Sequence, residues 1–349
     1  MMENACKLNG LILGMGNPLL DITASVDAEF LEKYNLEPNH AILAEDKHKP
    51  LYEEIVEKYN VEYTVGGATQ NALRVAQWIL NQPNVSVFMG CVGTDKFSKI
   101  LEKKAREAGV DVQYQYTSTQ PTGTCAVLIT KGGTQRSLCA NLAAANCFTV
   151  DHINKQINKE FIKNAKYFYI SGFFLTVSPP SIVKVAEEAL SRNCLFMMNL
   201  SAPFLSQFYS EPMMQAMPYV DILFGNETEA EAFAKAQKFD CTDLREIALR
   251  ITQLPKKNLK RPRIAIVTQG QNPVILAKDG IVSEFPVPQL PPARVVDTNG
   301  AGDAFVGGFL AQLVLGKPLE TCIRCGIWAA TEIIQRFGCT YEGKCTFTE

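Results

Sequence analysis

Histidine and the motifs built on it are scarce in this sequence of 349 residues. Only three histidines occur, His40, His48 and His152, and they are far apart along the chain. Neither an HExxH pattern nor a GxSxG pattern is present. These absences remove support for zinc protease and esterase chemistry, which need such clusters.

An excess of charge of one sign is also lacking, since Lys and Arg total 34, Asp and Glu total 36, and the net charge is −2. Such a balance creates no overall field that would attract nucleic acid or an anionic membrane. No apolar run reaches the roughly 18 residues of a membrane-spanning helix, and the N-terminal MMENACKLNG lacks the pattern of a secretion signal. We therefore expect a cytoplasmic protein, with the nucleus left open as a second compartment, whose ligands are small molecules.

Cysteine occurs eleven times, but its placement does not predict a disulfide framework. The residues are scattered through a long chain, several of them inside apolar runs, and we expect reduced thiols. Cys322 and Cys325 form a CxxC pattern in a run of helical character, without a second CxxC pair nearby. Helix packing explains this pair better than zinc or redox chemistry.

Strand and helix patterns alternate regularly from Phe161 onward, which indicates a mainly parallel sheet covered by helices on both faces. Two earlier stretches lack this rhythm, and Gly66-Gly67 marks a joint at the end of the first. The composition, 47% hydrophobic and 20% charged, is that of a globular protein with a sizeable core. We predict an α/β fold with two domains: a large doubly wound domain of residues 1–18, 66–112 and 142–349, and a small β-rich α/β lid of residues 19–65 and 113–141.

Several glycine- or asparagine-rich turns directly follow predicted strands. In doubly wound sheets, ligands bind beyond the carboxyl ends of the strands, so these turns should meet at one edge of the large sheet. They are GMGN, SGFF, FGNE, TQG and NGAGD.

The most informative stretch is VVDTNGAGDAFVGGF, residues 295–309. Gly300 and Gly302 allow a tight turn and a close approach of the backbone to a ligand. A helix that begins near Ala301 directs its unpaired N–H groups toward that ligand and favours an anion, and Asp303 lies in its first turn. Taken alone, the stretch is equally typical of a capped helix start.

Together with five other segments, this stretch resembles the ribokinase-like (PfkB) carbohydrate and nucleoside kinases, and in particular the members that phosphorylate adenosine. The segments are GMGNPLLD at 14–21, GGATQN at 66–71, SGFFLTVSP at 171–179, NLSAPF at 199–204 and FGNETEAEAF at 224–233. The resemblance implies ATP-dependent phosphorylation of the 5′-hydroxyl of adenosine, with ATP as co-substrate and Mg²⁺ as cofactor, by a monomer that serves purine salvage.

The resemblance also implies roles in phosphoryl transfer. Asp303 is then the catalytic base, and the amides of Gly300, Ala301 and Gly302, together with Arg136 on the lid, stabilise the transferring phosphoryl group. Mg²⁺ is expected at Asn226 and Glu229, an NxxE pattern at a helix start, which by itself is equally typical of a capped helix. Residues expected to contact ATP are Asn226, Thr268, Gly270, Asn299, Gly300, Ala301 and Gly302.

A polar group and an apolar group of residues are implied for the acceptor. The ribose is expected to contact Asn17, Asp21, Gly66, Gly67, Asn71, Asn299 and Asp303. The base is expected to enter an apolar slot formed by Leu19, Leu43, Cys125, Leu138, Ala140, Leu142, Phe174 and Phe204, although any one of these is equally typical of core packing. Ala41 stands where mammalian relatives carry a polar Gln, so purine selectivity follows less directly than ribose binding.

Two other functions remain open from the sequence. One is a sugar kinase of the same fold, of the ribokinase or fructokinase type, which would lack an apolar slot for a base. The other is a catalytically silent nucleoside-binding protein, which would have lost the base or the anion site. Asp303, both glycines and the NxxE pattern are retained, which favours an active kinase.

Overall fold

A computed structural model of the chain describes residues 8–38, 41–130 and 135–348, with the backbone alone for Ala41 and Arg136. Within these ranges the strands form two sheets. The larger sheet contains β1 (Ile12–Met15), β5 (Ser86–Gly93), β6 (Asp111–Thr117), β9 (Tyr167–Ser171), β10 (Leu195–Asn199), β11 (Ile222–Asn226), β12 (Ile264–Gln269), β13 (Asn272–Lys278) and β14 (Ile281–Phe285). The smaller sheet contains β2 (Leu19–Ser25), β3 (Ala41–Leu43), β4 (Glu62–Gly66), β7 (Thr124–Thr130) and β8 (Gln135–Asn141).

Helices follow many of the strands of both sheets. In the described ranges they are α1 (Ala28–Lys33), α2 (Leu51–Lys58), α3 (Ala68–Leu80), α4 (Lys96–Glu107), α5 (Val150–Asn154), α6 (Gln156–Asn164), α7 (Pro179–Ser191), α8 (Pro203–Phe208), α9 (Ser210–Ala216), α10 (Glu227–Ala236), α11 (Leu244–Gln253), α12 (Ala301–Val314) and α13 (Leu319–Ile333). None of them combines the length and apolar character needed to cross a membrane.

The larger sheet has the strand order β14-β13-β12-β11-β10-β9-β1-β5-β6. All pairs from β12 to β6 are parallel, and only β13 and β14 at one end run antiparallel to their neighbours. Because helices cover both faces, the predicted doubly wound, mainly parallel α/β fold is confirmed. The carboxyl ends of β1, β9, β10 and β11 lie along one edge, and the turns that follow them form the site described below.

The core lies in two layers, one on each face of the larger sheet, because successive side chains of a strand point to opposite faces. In β9, Phe168 and Ile170 enter the layer beneath α7, α10 and α11, whereas Tyr169 enters the layer beneath α3, α12 and α13. Each large apolar side chain buried in this way contributes about 1.5–3 kcal/mol to stability. The two layers therefore hold the strand ends in fixed positions.

Cys322 and Cys325 are buried within α13, as predicted for helix packing. Burial raises the pKa of each thiol to about 12, which keeps both protonated and unreactive at neutral pH. Among the described residues, every cysteine is free of disulfide bonds.

One boundary of the predicted lid is wrong. Residues 113–117 belong to β6, which pairs with β5 at the edge of the larger sheet and not with the smaller sheet. The error has a physical cause: an edge strand covered on one side only alternates buried and partly exposed residues, as Val112, Gln113 and Tyr114 do, and so has the pattern of a lid strand. The rest of the predicted division into two domains stays a prediction.

Candidate active site

The site is built around the start of α12. Gly300, the residue before the helix, has φ = +80°, a conformation that residues with a side chain rarely adopt. A Cβ atom at Gly300 would also lie 2.9 Å from the Cβ of Cys339. The preceding turn is held by Asp297, whose carboxylate accepts hydrogen bonds from the amides of Asn299 (3.0 Å) and Gly338 (2.7 Å). The predicted Gly-rich turn into a helix is therefore present, and Gly300 and Gly302 line the larger cavity. The amide of Ala301, predicted to bind the phosphoryl group, instead donates to the carbonyl of Thr298 (3.2 Å).

Asp303 lies in the first turn of α12, where its carboxylate reaches a cavity. Desolvation by the surrounding protein, with a smaller contribution from the negative charges of Asp21 and Glu229, raises the pKa of Asp303 to about 7. Asn71 opposes this effect by donating a hydrogen bond of 3.1 Å from Nδ2 to Asp303 Oδ2. Asp303 is thus a carboxylate that can accept a proton near neutral pH.

A cavity of about 840 Å³ lies between the two sheets and reaches from the smaller sheet to the start of α12. Asn17 lines it with a buried side chain whose Oδ1 has no hydrogen-bond partner among the described residues. A buried acceptor without a partner favours a ligand that can donate a hydrogen bond. The predicted residues that line this cavity are Asn17, Leu19, Leu43, Gly67, Ala140, Leu142, Phe204, Asn226, Glu229, Asn299, Gly300, Gly302 and Asp303.

Three of the predicted ligand residues act through neighbours and do not line the cavity. Asn71 holds Asp303. Asp21 is the second and Gly66 the third: Asp21 lies against Gly66, where a Cβ atom would overlap its carboxylate, so the glycine allows Asp21 its position.

Gly67, in contrast, lines the cavity, and its φ of +92° together with the nearby carbonyl of Asn17 leaves no room for a side chain. The diglycine is therefore required by the geometry of the joint.

The predicted position of one aromatic residue is wrong. Phe174 is fully buried in the core, where its ring lies 5.3 Å from that of Phe148. Its neighbour Phe173 lines the cavity instead, with its ring 6.4 Å from that of Phe204. Residues 172–176 form a 3₁₀ turn, in which consecutive side chains point about 120° apart, so adjacent phenylalanines cannot share one surface.

Cys125 and Leu138, also predicted for the apolar slot, lie on the face of the smaller sheet that Ala140 shares but do not line the cavity. Cys125 is opposite Ala140 in the register of β7 and β8, and Leu138 is two residues away on the same strand. The slot is therefore formed by fewer lid residues than predicted, with Phe173 added to it.

A second cavity, of about 360 Å³, lies on the other side of the start of α12. Thr268, Gly270 and Ala301, three of the residues predicted to contact ATP, line it. Thr298 and Gly302 line both cavities, so the two meet at the anion-binding turn. The second cavity is mostly apolar, since its other lining residues include Val274, Val287, Pro288, Leu290, Val295, Phe305, Ile327, Ala330 and Ile334.

Asn226 and Glu229 form a reciprocal capping box at the start of α10. Glu229 accepts hydrogen bonds from the amide (3.0 Å) and the Nδ2 (2.9 Å) of Asn226, while its own amide donates to Asn226 Oδ1 (2.9 Å). Burial raises the pKa of Glu229 to about 7 in spite of these bonds. The capped-helix interpretation of the NxxE pattern thus holds, and both residues also line the larger cavity.

The side-chain oxygens of Asn226 and Glu229 fit a hydrated Mg²⁺ better than a directly ligated metal. No cluster of three or more His, Cys, Asp or Glu that could hold a metal occurs in residues 8–38, 41–130 and 135–348. Mg²⁺ usually keeps several water ligands and binds through one or two carboxylates and substrate phosphates, an arrangement that Glu229 can serve through water.

Arg136 is in β8, opposite Ile129 of β7, and its side chain lies outside the described part of the structure, as does that of Ala41. Sequence reasoning also missed several polar residues of the larger cavity. They are Asn146, Thr176, Asn199, Ser201 and Tyr209. Asn199 and Ser201 were detectable in principle, because Asn199 ends the buried strand β10 and Ser201 lies in the turn after it, at the same sheet edge.

Comparison with known proteins identifies the family. The pfkB family carbohydrate kinases match residues 29–344. Adenosine kinase 2 of Arabidopsis thaliana is 50% identical over 99% of this chain and 100% of its own length. The adenosine kinase of Anopheles gambiae, in a crystal structure with P1,P4-di(adenosine-5) tetraphosphate, is 58% identical and superposes with a TM-score of 0.89, covering 97% of this chain and 99% of its own.

The adenosine kinase of Schistosoma mansoni, in complex with adenosine and AMP, is 35% identical and superposes with a TM-score of 0.87, covering 97% of this chain and 99% of its own. These matches extend over nearly the full length of both partners in every comparison. The chain therefore belongs to the pfkB family of carbohydrate kinases and, within it, to the adenosine kinases.

Proposed function

We propose that the enzyme transfers the γ-phosphoryl group of ATP to the 5′-hydroxyl of adenosine, giving AMP and ADP. The observation that carries this proposal is the position of Asp303: it lies in the first turn of α12, at the turn where the two cavities meet, and Asn71 holds its carboxylate. A base, an anion-binding turn and two separate ligand cavities are the parts that direct phosphoryl transfer needs.

The larger cavity is assigned to adenosine. Asn17 and Asn299 supply polar groups for the ribose, and the apolar side chains of Leu43, Phe173 and Phe204 supply a slot for the base. Asp21, which lies beside Gly66, is proposed to reach the ribose hydroxyls as the family resemblance implies. The smaller, mostly apolar cavity is assigned to the adenine of ATP, whose phosphates then extend to the amides of Gly300 and Gly302.

The chemistry follows from this placement. Asp303 accepts the proton of the 5′-hydroxyl as that oxygen bonds to the γ-phosphorus, and the bond between the γ-phosphorus and the bridging oxygen of ADP breaks. The amides of Gly300 and Gly302 at the start of α12 stabilise the negative charge on the phosphoryl oxygens. When bound, Mg²⁺ would neutralise phosphate charge, and Asn226 and Glu229 are the residues that would hold its water shell.

Closure of the smaller sheet over the larger cavity would exclude water from the reaction, since water would otherwise compete with adenosine for the phosphoryl group. The joint at Gly66-Gly67 and residues 117–124 connect the smaller sheet to the larger one. Arg136 of β8 is proposed to reach the transferring phosphoryl group in the closed state, as the family resemblance implies.

We further propose that the enzyme is a cytoplasmic monomer that returns adenosine to the nucleotide pool in purine salvage. The free cysteines of the described residues support a reducing compartment. The nucleus remains open as a second location.

An acceptor panel tests the proposed function. Production of ADP is followed in a coupled assay with adenosine, inosine, ribose or fructose at equal concentrations. Adenosine should give by far the highest kcat/KM, because only a nucleoside fills both the polar and the apolar part of the larger cavity. Equal activity with ribose or fructose would identify a sugar kinase, and no activity with any acceptor would identify a silent binding protein.

A further inference from the structure

The C-terminal segment, residues 338–343, passes behind the start of α12. The amide of Gly338 donates to Asp297 Oδ2 (2.7 Å), and Cys339 packs against Gly300, the residue directly before the helix. Cys339 is buried, so this part of the segment belongs to the core behind the site. Residues distant in sequence thus support the turn that would bind the phosphates.

Arg74 of α3 connects this segment with the catalytic carboxylate. Its Nη1 donates to the carbonyls of Cys339 (3.3 Å) and Val65 (2.9 Å) and to Asn71 Oδ1 (3.3 Å). A guanidinium can only donate hydrogen bonds, so the amide oxygen of Asn71 must face it. The NH₂ group of Asn71 is thereby directed at Asp303, where it donates to Oδ2 (3.1 Å). The reverse orientation would place two oxygens against each other.

Tyr341 holds Arg74 from the outer side. Its hydroxyl donates to the carbonyl of Arg74 (3.1 Å), and its ring lies 5.7 Å from the centre of the guanidinium. The ring also stacks on Trp78 at 4.8 Å and 13°, and Trp78 Nε1 donates to the carbonyl of Gly343 (2.9 Å). Aromatic stacking and two hydrogen bonds therefore fix the segment to α3 at the level of Arg74.

We propose that Tyr341 is a positioning residue for phosphoryl transfer: it fixes Arg74, Arg74 fixes the orientation of the Asn71 amide, and Asn71 holds the carboxylate of Asp303. The inference rests on the proposed function, in which Asp303 is the base. Tyr341 itself does not line either cavity, so it acts only through these contacts.

Other groups also affect the titration of Asp303. The carboxylate of Glu229 at the larger cavity and that of Asp21 beside Gly66 raise its pKa, and Tyr169 and Cys339 interact with it electrostatically from the core. Asp21, Glu229 and Tyr169 lie outside the positioning relay, which runs from Tyr341 through Arg74 to Asn71, and the packing of Cys339 against Gly300 does not depend on Tyr341. Loss of the relay should therefore weaken one interaction alone, the hydrogen bond from Asn71 that favours the charged carboxylate.

The test compares Tyr341→Leu with the matched control Trp328→Leu. The ring of Trp328 stacks on Trp78 at 5.2 Å within the same aromatic cluster, so both variants lose a stacked ring. Steady-state kinetics with adenosine and ATP are measured from pH 5.5 to 9.5. In Tyr341→Leu the acid limb of kcat should move upward by as much as about one pH unit, since a hydrogen bond to a carboxylate stabilises its charged form by that order.

At pH 7 a shift of that size lowers kcat about fivefold, and at high pH the variant should approach the wild-type rate, because the base is then ionised in both. The KM for ATP should not change, and Trp328→Leu should keep the wild-type acid limb. A loss of kcat that is equal at every pH, or an acid limb shared by Tyr341→Leu and wild type, contradicts the inference.

If Tyr341→Leu is too unstable to assay, Tyr341→Met removes the ring beside the guanidinium with a smaller loss of volume; its acid limb should still move upward, and an unchanged limb contradicts the inference. The pH profile of wild-type kcat distinguishes a failure of Asp303 as the base from a failure of Tyr341 as a positioning residue. A wild-type kcat without an acid limb near neutrality contradicts the role of Asp303 itself, whereas a normal wild-type limb that Tyr341 does not affect contradicts the positioning role alone.

Discussion

Asn71 and Asp303, 232 positions apart in the sequence, are joined by a hydrogen bond of 3.1 Å between Nδ2 and Oδ2. The bond links the start of α3, directly after the diglycine joint, with the start of α12, directly after the anion-binding turn. Because one partner follows the joint between the two sheets and the other is the proposed base, the position of the smaller sheet and the chemistry of the site are mechanically connected.

The pH dependence of stability should run opposite to that of activity. Burial raises the pKa of both Asp303 and Glu229 to about 7, above the ordinary carboxyl values near 4. Between pH 4 and pH 7 the folded state therefore binds more protons than the unfolded state, and the contribution of these groups to stability is present at low pH and lost as the pH rises. Activity needs Asp303 ionised and rises over the same range.

Urea unfolding at pH 5 and pH 8 measures the stability part of this prediction. The fall in the free energy of unfolding between the two pH values should be smaller in Glu229→Gln than in the wild type, because one of the two raised carboxyls has been removed. An equal fall in both proteins would contradict the raised pKa of Glu229.

Glu229→Gln should also raise the Mg²⁺ concentration needed for half-maximal activity, by roughly tenfold, which is typical when a group that orients a metal's ligands is lost. A magnesium titration at fixed ATP measures this, with Glu231→Gln as the control, since Glu231 is exposed on the same helix. Coincident curves for wild type and Glu229→Gln would count against a role near the metal.

The adjacent phenylalanines Phe173 and Phe174 should respond differently to truncation. Phe173→Ala removes part of the apolar slot and should raise the KM for adenosine roughly tenfold, the effect of about 1.4 kcal/mol of lost contact, with little loss of stability. Phe174→Ala leaves a hole in the core and should cost about 3–5 kcal/mol of unfolding free energy. A raised KM in Phe174→Ala together with a large loss of unfolding free energy in Phe173→Ala would show instead that Phe174 forms the slot.

Gly67→Ala should lower kcat and raise the KM for adenosine, because a Cβ atom would overlap the carbonyl of Asn17 and displace the joint. Gly316→Ala is the matched control: Gly316 also has a positive φ, +73°, but a Cβ atom there meets open space. Both variants carry a backbone strain of about 1 kcal/mol, so a kinetic defect in Gly67→Ala alone identifies the joint. Similar kinetics in both would make it an ordinary turn.

The sequence predicted those parts of the site that lie close together along the chain. The turn and helix of 297–303, the diglycine and the NxxE cap each contain their own structural cause, a positive φ or a capping side chain, within a few residues. The strand rhythm after Phe161 predicted the sheet for the same reason, since burial on both faces leaves continuous apolar runs.

The features that the sequence did not predict depend on contacts between distant residues. The apolar cavity is formed by segments near 274, 288 and 330 that meet only in the folded chain, and residues 338–343 reach Arg74 across more than 260 positions. The choice between Phe173 and Phe174 depended on the rotation of a single 3₁₀ turn, which apolar patterning cannot fix. Edge strand β6 belongs to the larger sheet although it has the alternation of a lid strand, because only one of its faces is covered.

The measurement that tests the central claim most directly is single-turnover phosphorylation of adenosine by Asp303→Asn. The variant is nearly the same size as the wild type and should keep the fold, the binding of adenosine and the binding of ATP, each measured by calorimetry. Loss of the proton acceptor should lower the rate of phosphoryl transfer by at least roughly 10²- to 10⁴-fold with little change in either affinity. A rate within a few-fold of wild type would contradict Asp303 as the base and, with it, the account of the site.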